Sequence, residues 1–304
     1  MASDESVTVV SAADAAYFEL LRHLVMSLRR GPQSRALAVS IMDLGLEAQQ
    51  KQWLESEGAV VVDPGWDIDF AQRDRAPTYY KAMTARPYLP KHFPGHAVYL
   101  WIDADAWVQD DAVLDMFVSG ARRGKLAIVP ELDRGYWTIH KRPKFWGQNQ
   151  RAFAWAYGWR AGYRLGRNAI LNTGVFALSR DAPHWRLWAN AHASALRRRR
   201  FGRAASTGKV EFRNAEQTAL NYVVYAEHAP ATFLPAYCNW FCGKGTPMYD
   251  PERRLLVEPH EPHRPIGIVH LAGKRMKERV WQLATPAGDT VSAQLTFEAL
   301  RALA

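Results

Sequence analysis

Four short apolar strands alternate with helical segments over the first hundred residues, and this alternation constrains the fold more than any other feature. Val7 to Ser11 is a β-branched run of the kind buried on both faces of a sheet. A helix follows, with Asp14 as its cap, Leu20, Leu21, Leu24, Val25 and Leu28 on one face, and Gly31-Pro32 as its stop. Ala36 to Met42 reads as the next strand, Leu46 to Glu57 as a helix stopped by Gly58, and Ala59 to Val62 as a third strand. Thr78 to Ala85 is helical until Arg86-Pro87, because the residue before proline disfavours the helical region. Ala97 to Ile102 is a fourth apolar strand running straight into Asp103. Strands separated by helices require right-handed crossovers, so the expected class is α/β with a mostly parallel central sheet flanked by helices. Ligands of such sheets bind beyond the carboxyl ends of the strands.

The second half is less regular. Gly135 to Gly166 is dense in aromatic and basic residues, Ile170 to Ser179 reads as a strand, and Ile266 to Leu271 as a late strand. Pro183 to Arg200 and Asn214 to Glu227 read as helices. No internal repeat or low-complexity linker interrupts the 304 residues, which favours one continuous domain.

Composition narrows the class further. With 48% apolar and 23% charged residues the chain is an ordinary globular one, and no apolar run reaches the ~18 residues of a membrane span. Met1 to Ser6 is acidic and polar, so no secretory signal is expected and the expected location is cytoplasmic. Cys238 and Cys242 are too few for a disulfide framework and read as free thiols. The net charge of +9 favours anionic partners. Part of it is the run Arg197 to Arg200, with Arg203 behind it. Asp181 as cap, Pro183, the Trp185, Trp188 and Leu196 spacing, and Gly202 make this run a helix C-terminus, where cations complement the dipole. Such a basic end also suits peripheral contact with an anionic membrane. No nucleic-acid reading motif accompanies the charge, so nucleic acid is not an expected partner.

Five groups of residues carry chemistry. Asp103-Ala104-Asp105 puts two carboxylates on one side of an extended segment at a strand's carboxyl end, which suits Mn²⁺ or Mg²⁺ bridging a diphosphate. The plain alternative is a solvated turn. His270 closes another apolar strand and would complete a cation site with the two carboxylates; otherwise it is a hydrogen-bonded structural histidine. Gly273 behind it allows close backbone approach to a phosphate, and Lys274 and Lys277 can stabilise a departing diphosphate. Asn172-Thr173-Gly174 offers sugar-binding donors, or else marks a β-bulge. Glu216 and Gln217 stand in a helix's first turn, where a carboxylate also serves the dipole.

Taken in order, these groups resemble the retaining glycosyltransferases of family 8, the group of glycogenin and the bacterial lipopolysaccharide galactosyltransferases. The resemblance runs from about Val7 to Lys277. It is carried by Val9-Val10-Ser11-Ala12-Ala13-Asp14, Tyr80-Lys81, Tyr99-Leu100-Trp101-Ile102-Asp103-Ala104-Asp105 and Leu171-Asn172-Thr173-Gly174-Val175. Further matches are Glu216-Gln217-Thr218-Ala219-Leu220-Asn221, Leu234-Pro235-Ala236-Tyr237-Cys238-Asn239-Trp240 and His270-Leu271-Ala272-Gly273. The resemblance implies the nucleotide-diphospho-sugar transferase fold called GT-A, a UDP-sugar donor and Mn²⁺. It implies that Asp103, Asp105 and His270 bind the metal, that Ser11, Ala12 and Asp14 line the nucleoside pocket, and that Lys81 reaches the donor. Asn172 would contact the transferred sugar, Ala104 and Thr173 would bind the donor, and Glu216 and Gln217 would sit near the anomeric carbon. Residues 1–304 would then be one transferase domain: about 7–110 for the donor, about 111–282 for a carbohydrate, glycolipid or protein-linked acceptor, and 283–304 as a C-terminal tail.

Two departures bear on this expectation. The family usually has Asp where Glu216 stands, and its terminal Lys falls at Met276, flanked here by Lys274 and Lys277. Two other functions suit such a fold. A sugar-nucleotide nucleotidyltransferase needs a glycine-rich loop after the first strand, and Ala12 to Ala16 has no glycine. A non-catalytic anion-binding protein on a decayed transferase fold would not need to retain Asp103, Asp105 and His270.

Overall fold

The computed structural model describes residues 6–71, 73–139, 142–198, 213–273 and 275–303. Strand β1 (Val7–Ala13) leads into a short turn and the helix Phe18–Arg30, followed by β2 (Ala38–Asp43), the helix Ala48–Ser56 and β3 (Ala59–Val62). Helices Tyr80–Ala85 and Leu89–His92 precede β4 (Val98–Ile102) and β5 (Ala106–Val108). The helix Ala112–Arg122, β6 (Leu126–Pro130), helices Arg142–Tyr157 and Trp159–Leu165, and β7 (Leu171–Ser179) come next. Helices His184–Arg197 and Arg213–Tyr225 lead to β8 (Ala231–Phe233), β9 (Trp240–Phe241), β10 (Met248–Asp250), β11 (Leu255–Val257) and β12 (Ile268–His270). The hairpin β13 (Val280–Ala284) and β14 (Thr290–Gln294) and the helix Phe297–Leu303 close the chain.

The central sheet has the order β3-β2-β1-β4-β7-β6-β8. Pairs β3/β2, β2/β1, β1/β4 and β6/β8 are parallel, whereas β7 runs antiparallel to both β4 and β6. This is the α/β class expected, a mostly parallel sheet flanked by helices. The alternation of the strands explains its two faces. Val9, Leu100 and Ile102 pack with Leu21, Leu24, Leu54 and Phe117. Val10, Tyr99 and Trp101 point the other way, into a core with Leu89, Phe176, Trp188 and Leu220. Trp101 and Trp188 are buried, and truncating either to Ala costs about 3–5 kcal/mol.

A second sheet, β5-β12-β9, stands beyond the carboxyl ends of β1 and β4. It builds a third core from Trp107, Trp240, Phe241 and Val269. Residues of the C-terminal stretch join this core: Trp281, Leu283, Leu295, Phe297 and Leu300 are all buried in it. On β13 the exposed Val280, Gln282 and Ala284 alternate with the buried Trp281 and Leu283, as one covered face requires.

Local details correct two expectations. Asp181 does not cap its helix, because the helix starts at His184 with Pro183 at the cap position and no side-chain cap. Asp181 lies instead 3.5 Å from Arg180. Asp14 caps the short Ala15–Tyr17 turn ahead of the first helix, accepting from Tyr17 N at 3.0 Å. Of the arginine run, Arg197 ends its helix and Arg198 caps it; Arg199, Arg200 and Arg203 lie outside the described residues. No helix among the described residues is long and apolar enough to cross a membrane.

Candidate active site

The site forms where β4 hands over to β5. Asp103 and Asp105 follow β4 with Ala104 buried between them, and β5 then pairs antiparallel with β12 so that Ala106 faces His270. That register sets His270 beside Asp105, although the two are far apart in sequence. His270 Nε2 lies 3.2 Å from Asp105 Oδ1, and Leu271 N donates to the Asp105 carbonyl at 2.9 Å. One ligand atom from each of Asp103, Asp105 and His270 falls within 4.8 Å of the others.

Neighbouring groups turn these donors inward. Trp101 Nε1 donates to Asp103 Oδ1 at 2.7 Å, and Arg86 Nη2 donates to the same oxygen, which leaves Oδ2 for a ligand. His270 Nδ1 donates to Asn239 Oδ1 at 2.9 Å, which leaves Nε2 on the ligand side. Gly174 faces the cluster: a Cβ there would stand 2.5 Å from His270 Cε1 and 2.8 Å from Asp103 Oδ2. Only glycine leaves that space open. Two carboxylates and an imidazole around such a space fit Mn²⁺, which accepts both oxygen and nitrogen donors.

The electrostatics agree with a cation site. Burial pushes Asp105 up, but the adjacent His270, a backbone hydrogen bond and Arg86 together hold the carboxyl below its ordinary range. Burial disfavours the His270 cation, yet Asp105 raises the imidazole net above its ordinary value. Burial raises Asp103, which Arg86 only partly offsets. A divalent cation would replace the His270 proton and satisfy both carboxylates.

Behind this trio lies a buried ionic network that sequence reasoning missed. Arg86 is 4% exposed, and its guanidinium stacks 4.4 Å from the Trp101 ring centroid. Its Nη1 donates to Thr173 Oγ1 at 3.3 Å and lies 3.3 Å from Glu216 Oε2. Thr173 Oγ1 in turn donates to Glu216 Oε2 at 2.9 Å, while Glu216 Oε1 is buried with no hydrogen-bond partner. Burial pushes the Glu216 carboxyl up to about 7, a shift limited by Arg86. Because the folded value exceeds the ordinary one, Glu216 favours folding most below about pH 4.5, and stability falls as pH rises to about 7. Glu216→Gln is therefore expected to flatten that slope and to gain on the order of 2–3 kcal/mol relative to the parent between pH 4.5 and 8, as urea melts at both pH values will show.

The Asn172-Thr173-Gly174 segment is both a bulge and a donor cluster. Pairing of β7 with β6 shifts register between Ile128 and Pro130, so residues 172–174 arch away from the ladder. Asn172 Nδ2 donates to Glu131 Oε1 at 2.9 Å and Gln217 Oε1 at 3.3 Å, and its Oδ1 accepts from Gly174 N at 2.8 Å. Glu131 also pairs with Lys244. Thus Asn172, Thr173, Glu216 and Gln217 come together beside the trio. The other expected residues lie nearby or apart. β1 pairs with β4 with Val10 opposite Trp101, so Ser11 stands level with Ile102; its Oγ is buried with no hydrogen-bond partner. Ala12 and Asp14 continue from it. Lys81, on the helix Tyr80–Ala85 that Arg86 caps, lies 3.7 Å from Asp63. Gly273 has φ +124°, open to glycine and strained for other residues, and Lys277 Nζ sits 5.3 Å from the Tyr17 ring centroid. Lys274 lies outside the described residues.

Glu131 and Lys244 carry no sequence signal, and Arg86 was legible only as a helix stop before Pro87. A separate cluster, Asp133, Glu258 and His260, joins two loops near Trp240, with His260 Nε2 3.0 Å from Asp133 Oδ1 and Nδ1 4.0 Å from Glu258 Oε2. The imidazole stands between the two carboxylates and ties the loops together. Cys238 and Cys242 are free and buried, and burial pushes both thiols up to about 12.

No family model and no curated protein sequence matches the chain. Among solved structures, the apo bifunctional glycosyltransferase WbbM matches 89% of the chain with a TM-score of 0.53 and 12% identity. The match covers 46% of WbbM, so the chain spans about half of that protein's length. The galactosyltransferase LgtC, solved with donor and acceptor sugar analogues, matches 88% of the chain and 87% of its own at 14% identity and a TM-score of 0.48. Mouse xyloside xylosyltransferase 1 in apo form matches 79% of the chain and 89% of its own at 12% identity and a TM-score of 0.45. The likeness to WbbM establishes a shared fold, the GT-A-like architecture expected.

Proposed function

We propose that this chain is a metal-dependent glycosyltransferase of the family 8 type, moving a hexosyl group from a UDP-sugar to an acceptor hydroxyl with retention of configuration. The observation that carries the reading is the convergence of Asp103, Asp105 and His270 on one space, beside Asn172 and Gln217, at the carboxyl end of a GT-A-like sheet. Asp103, Asp105 and His270 would hold Mn²⁺ or Mg²⁺, and the bound ion supplies positive charge for the diphosphate.

The chain's own residues do the rest. Ser11, Ala12 and Asp14 receive the nucleoside at the end of β1, and Lys81 reaches the donor. Asn172 and Gln217 hold sugar hydroxyls, with Ala104 at the donor and Thr173 binding it indirectly by fixing Glu216. Gly273 admits the diphosphate to the backbone, and Lys274 and Lys277 offset the charge that grows on it as the anomeric carbon–oxygen bond to UDP breaks. The acceptor hydroxyl bonds to that carbon from the same face, held there by positioning. Glu216 acts as a positioning residue: its Oε2 is engaged by Thr173 and Arg86, so it is poorly placed as a nucleophile. The enzyme would work in the cytoplasm on a carbohydrate, glycolipid or protein-linked acceptor. The lack of a glycine-rich loop after β1 speaks against a nucleotidyltransferase, and the complete trio against a decayed, anion-binding fold.

Calorimetric titration of UDP tests the reading. Binding is expected in Mn²⁺ and a loss of at least about tenfold in affinity with chelator, since one metal bridge to a diphosphate is worth several kcal/mol. Equal binding in both conditions would remove metal dependence, and no binding in Mn²⁺ would remove the UDP-sugar donor.

A further inference from the structure

The helices Arg142–Tyr157 and Trp159–Leu165 bury Phe153, Ala156 and Leu165 against the body of the protein. Their outer side is unlike an ordinary surface. Trp159 and Tyr163, one helical turn apart, are each 68% exposed. Around them Arg151, Arg160, Arg164 and Arg167 are exposed, and no carboxylate pairs with any of the four among the described residues. The guanidinium of Arg160 lies 5.4 Å from the Trp159 ring centroid, and that of Arg167 lies 5.9 Å from the Tyr163 ring centroid. A shallow groove of about 290 Å³, lined by Gly147, Ala154 and Gly162, runs beside the two rings. From Arg134 to Arg180 the chain carries nine Lys and Arg and no Asp or Glu. That stretch of chain therefore carries one sign of charge.

We propose that this face docks on an anionic bilayer, with Trp159 and Tyr163 at headgroup level and the four arginines on lipid phosphates. Resting on the transferase reading above, the proposal makes the acceptor a lipid-linked one presented at that surface. Three properties point to lipid. Trp and Tyr have an apolar body with a polar edge and settle at membrane–water interfaces. Guanidinium groups match phosphate oxygens in bidentate geometry. An anionic surface potential attracts each basic residue within a Debye length, which raises partitioning about fivefold per residue. A single-stranded nucleic acid would instead need open ring faces for base stacking, and here guanidinium groups approach both rings.

The patch is tied to the site. Asn149 Nδ2 donates to the Gly166 carbonyl at 3.2 Å, and Tyr225 hydroxyl donates to the Ala169 carbonyl at 2.7 Å. The next residues enter β7, which carries Asn172. A membrane held at Trp159 and Tyr163 is thus fixed relative to the sugar-binding segment.

Co-sedimentation of the full chain with vesicles tests the proposal, using phosphatidylcholine alone and with about 30% phosphatidylglycerol as the anionic probe. Binding only to the anionic vesicles, weakened in about 0.5 M salt, is expected. Arg160→Glu with Arg164→Glu should lower partitioning by more than about 25-fold, and Trp159→Ala with Tyr163→Ala by about tenfold, with thermal melts unchanged. Anionic-vesicle binding that is absent, or unchanged in both double variants, would overturn the proposal, as would preference for an oligothymidine strand over vesicles. UDP titration on the same samples reports the donor site separately, so failure of the membrane face and failure of the transferase reading are told apart.

Discussion

Asp105→Ala is expected to abolish metal-dependent UDP binding and to lower sugar transfer at least about 1,000-fold, since a cation clamp on a departing diphosphate supplies several kcal/mol. Asp105 stands between two environments: its Oδ1 meets His270 Nε2 at 3.2 Å, and its carbonyl accepts from Leu271 N. Replacing the side chain leaves that backbone bond and the β5/β12 register intact, so the fold should persist. What goes is one of three donors and the charge that orients the imidazole. Asp105→Asn separates the two effects, because it keeps the shape and loses the charge; it should bind UDP in Mn²⁺ almost as poorly as the alanine variant. Thermal melts without metal report the structural cost separately: the buried His270 loses its anionic partner, and it can shed its proton in place of carrying an unpaired charge. Unchanged UDP binding in both variants would mean that the Asp105–His270 pair is structural and that no cation sits there.

Some of this site was legible in the sequence because it obeys short-range rules. Asp103 and Asp105 were legible as two carboxylates closing a β-branched and aromatic strand; the expected extended segment is instead a turn, with Ala106 N donating to the Asp103 carbonyl at 3.0 Å, and both carboxylates still meet His270. Gly174 and Asn172 were visible as a polar break in an apolar run, and the bulge and the donor cluster turn out to be one feature. The first three strands and their helices were legible for the same reason: each is long enough to show its period. Strands β5 and β9 are three and two residues long and show none, so of the sheet that delivers His270 beside Asp105 only β12 was legible, as the late strand Ile266 to Leu271. β13 did alternate, with Trp281 and Leu283 inward, but a late hairpin on a helix-rich chain is read easily as a tail. Arg86 is the clearest miss. Its sequence context, Ala-Arg-Pro, speaks only of a helix ending, and its partners Asp103, Thr173 and Glu216 come from three distant segments. A buried cation is identified by the anions around it, and tertiary structure alone supplies those.

Arg86→Met is expected to destabilise the protein by about 3–5 kcal/mol at pH 8, because removing one partner of a buried ion network strands the others. Methionine keeps most of the volume and the contact with the Trp101 ring, so the loss is electrostatic rather than a cavity. Two carboxyls are left without their cation, Asp103 and Glu216, both already raised by burial with Arg86 present. Without Arg86 both rise further. A carboxyl raised in the folded state is protonated there and ionised in the unfolded chain, so its contribution is largest below about pH 4 and is lost as pH rises towards the folded value. The penalty of Arg86→Met should therefore be small near pH 5 and full near pH 8, as urea melts at the two pH values will measure. The cause can be isolated with a second substitution. In Arg86→Met with Glu216→Gln only one buried carboxyl remains unpaired, so at pH 8 Glu216→Gln should gain at least about 1 kcal/mol more in the Arg86→Met background than in the parent. Strict additivity in that cycle would show that the cost of Arg86→Met does not run through Glu216. Coupling of the expected sign would show that Arg86 holds the Glu216 carboxylate in place beside Thr173, the same guanidinium that donates to Asp103.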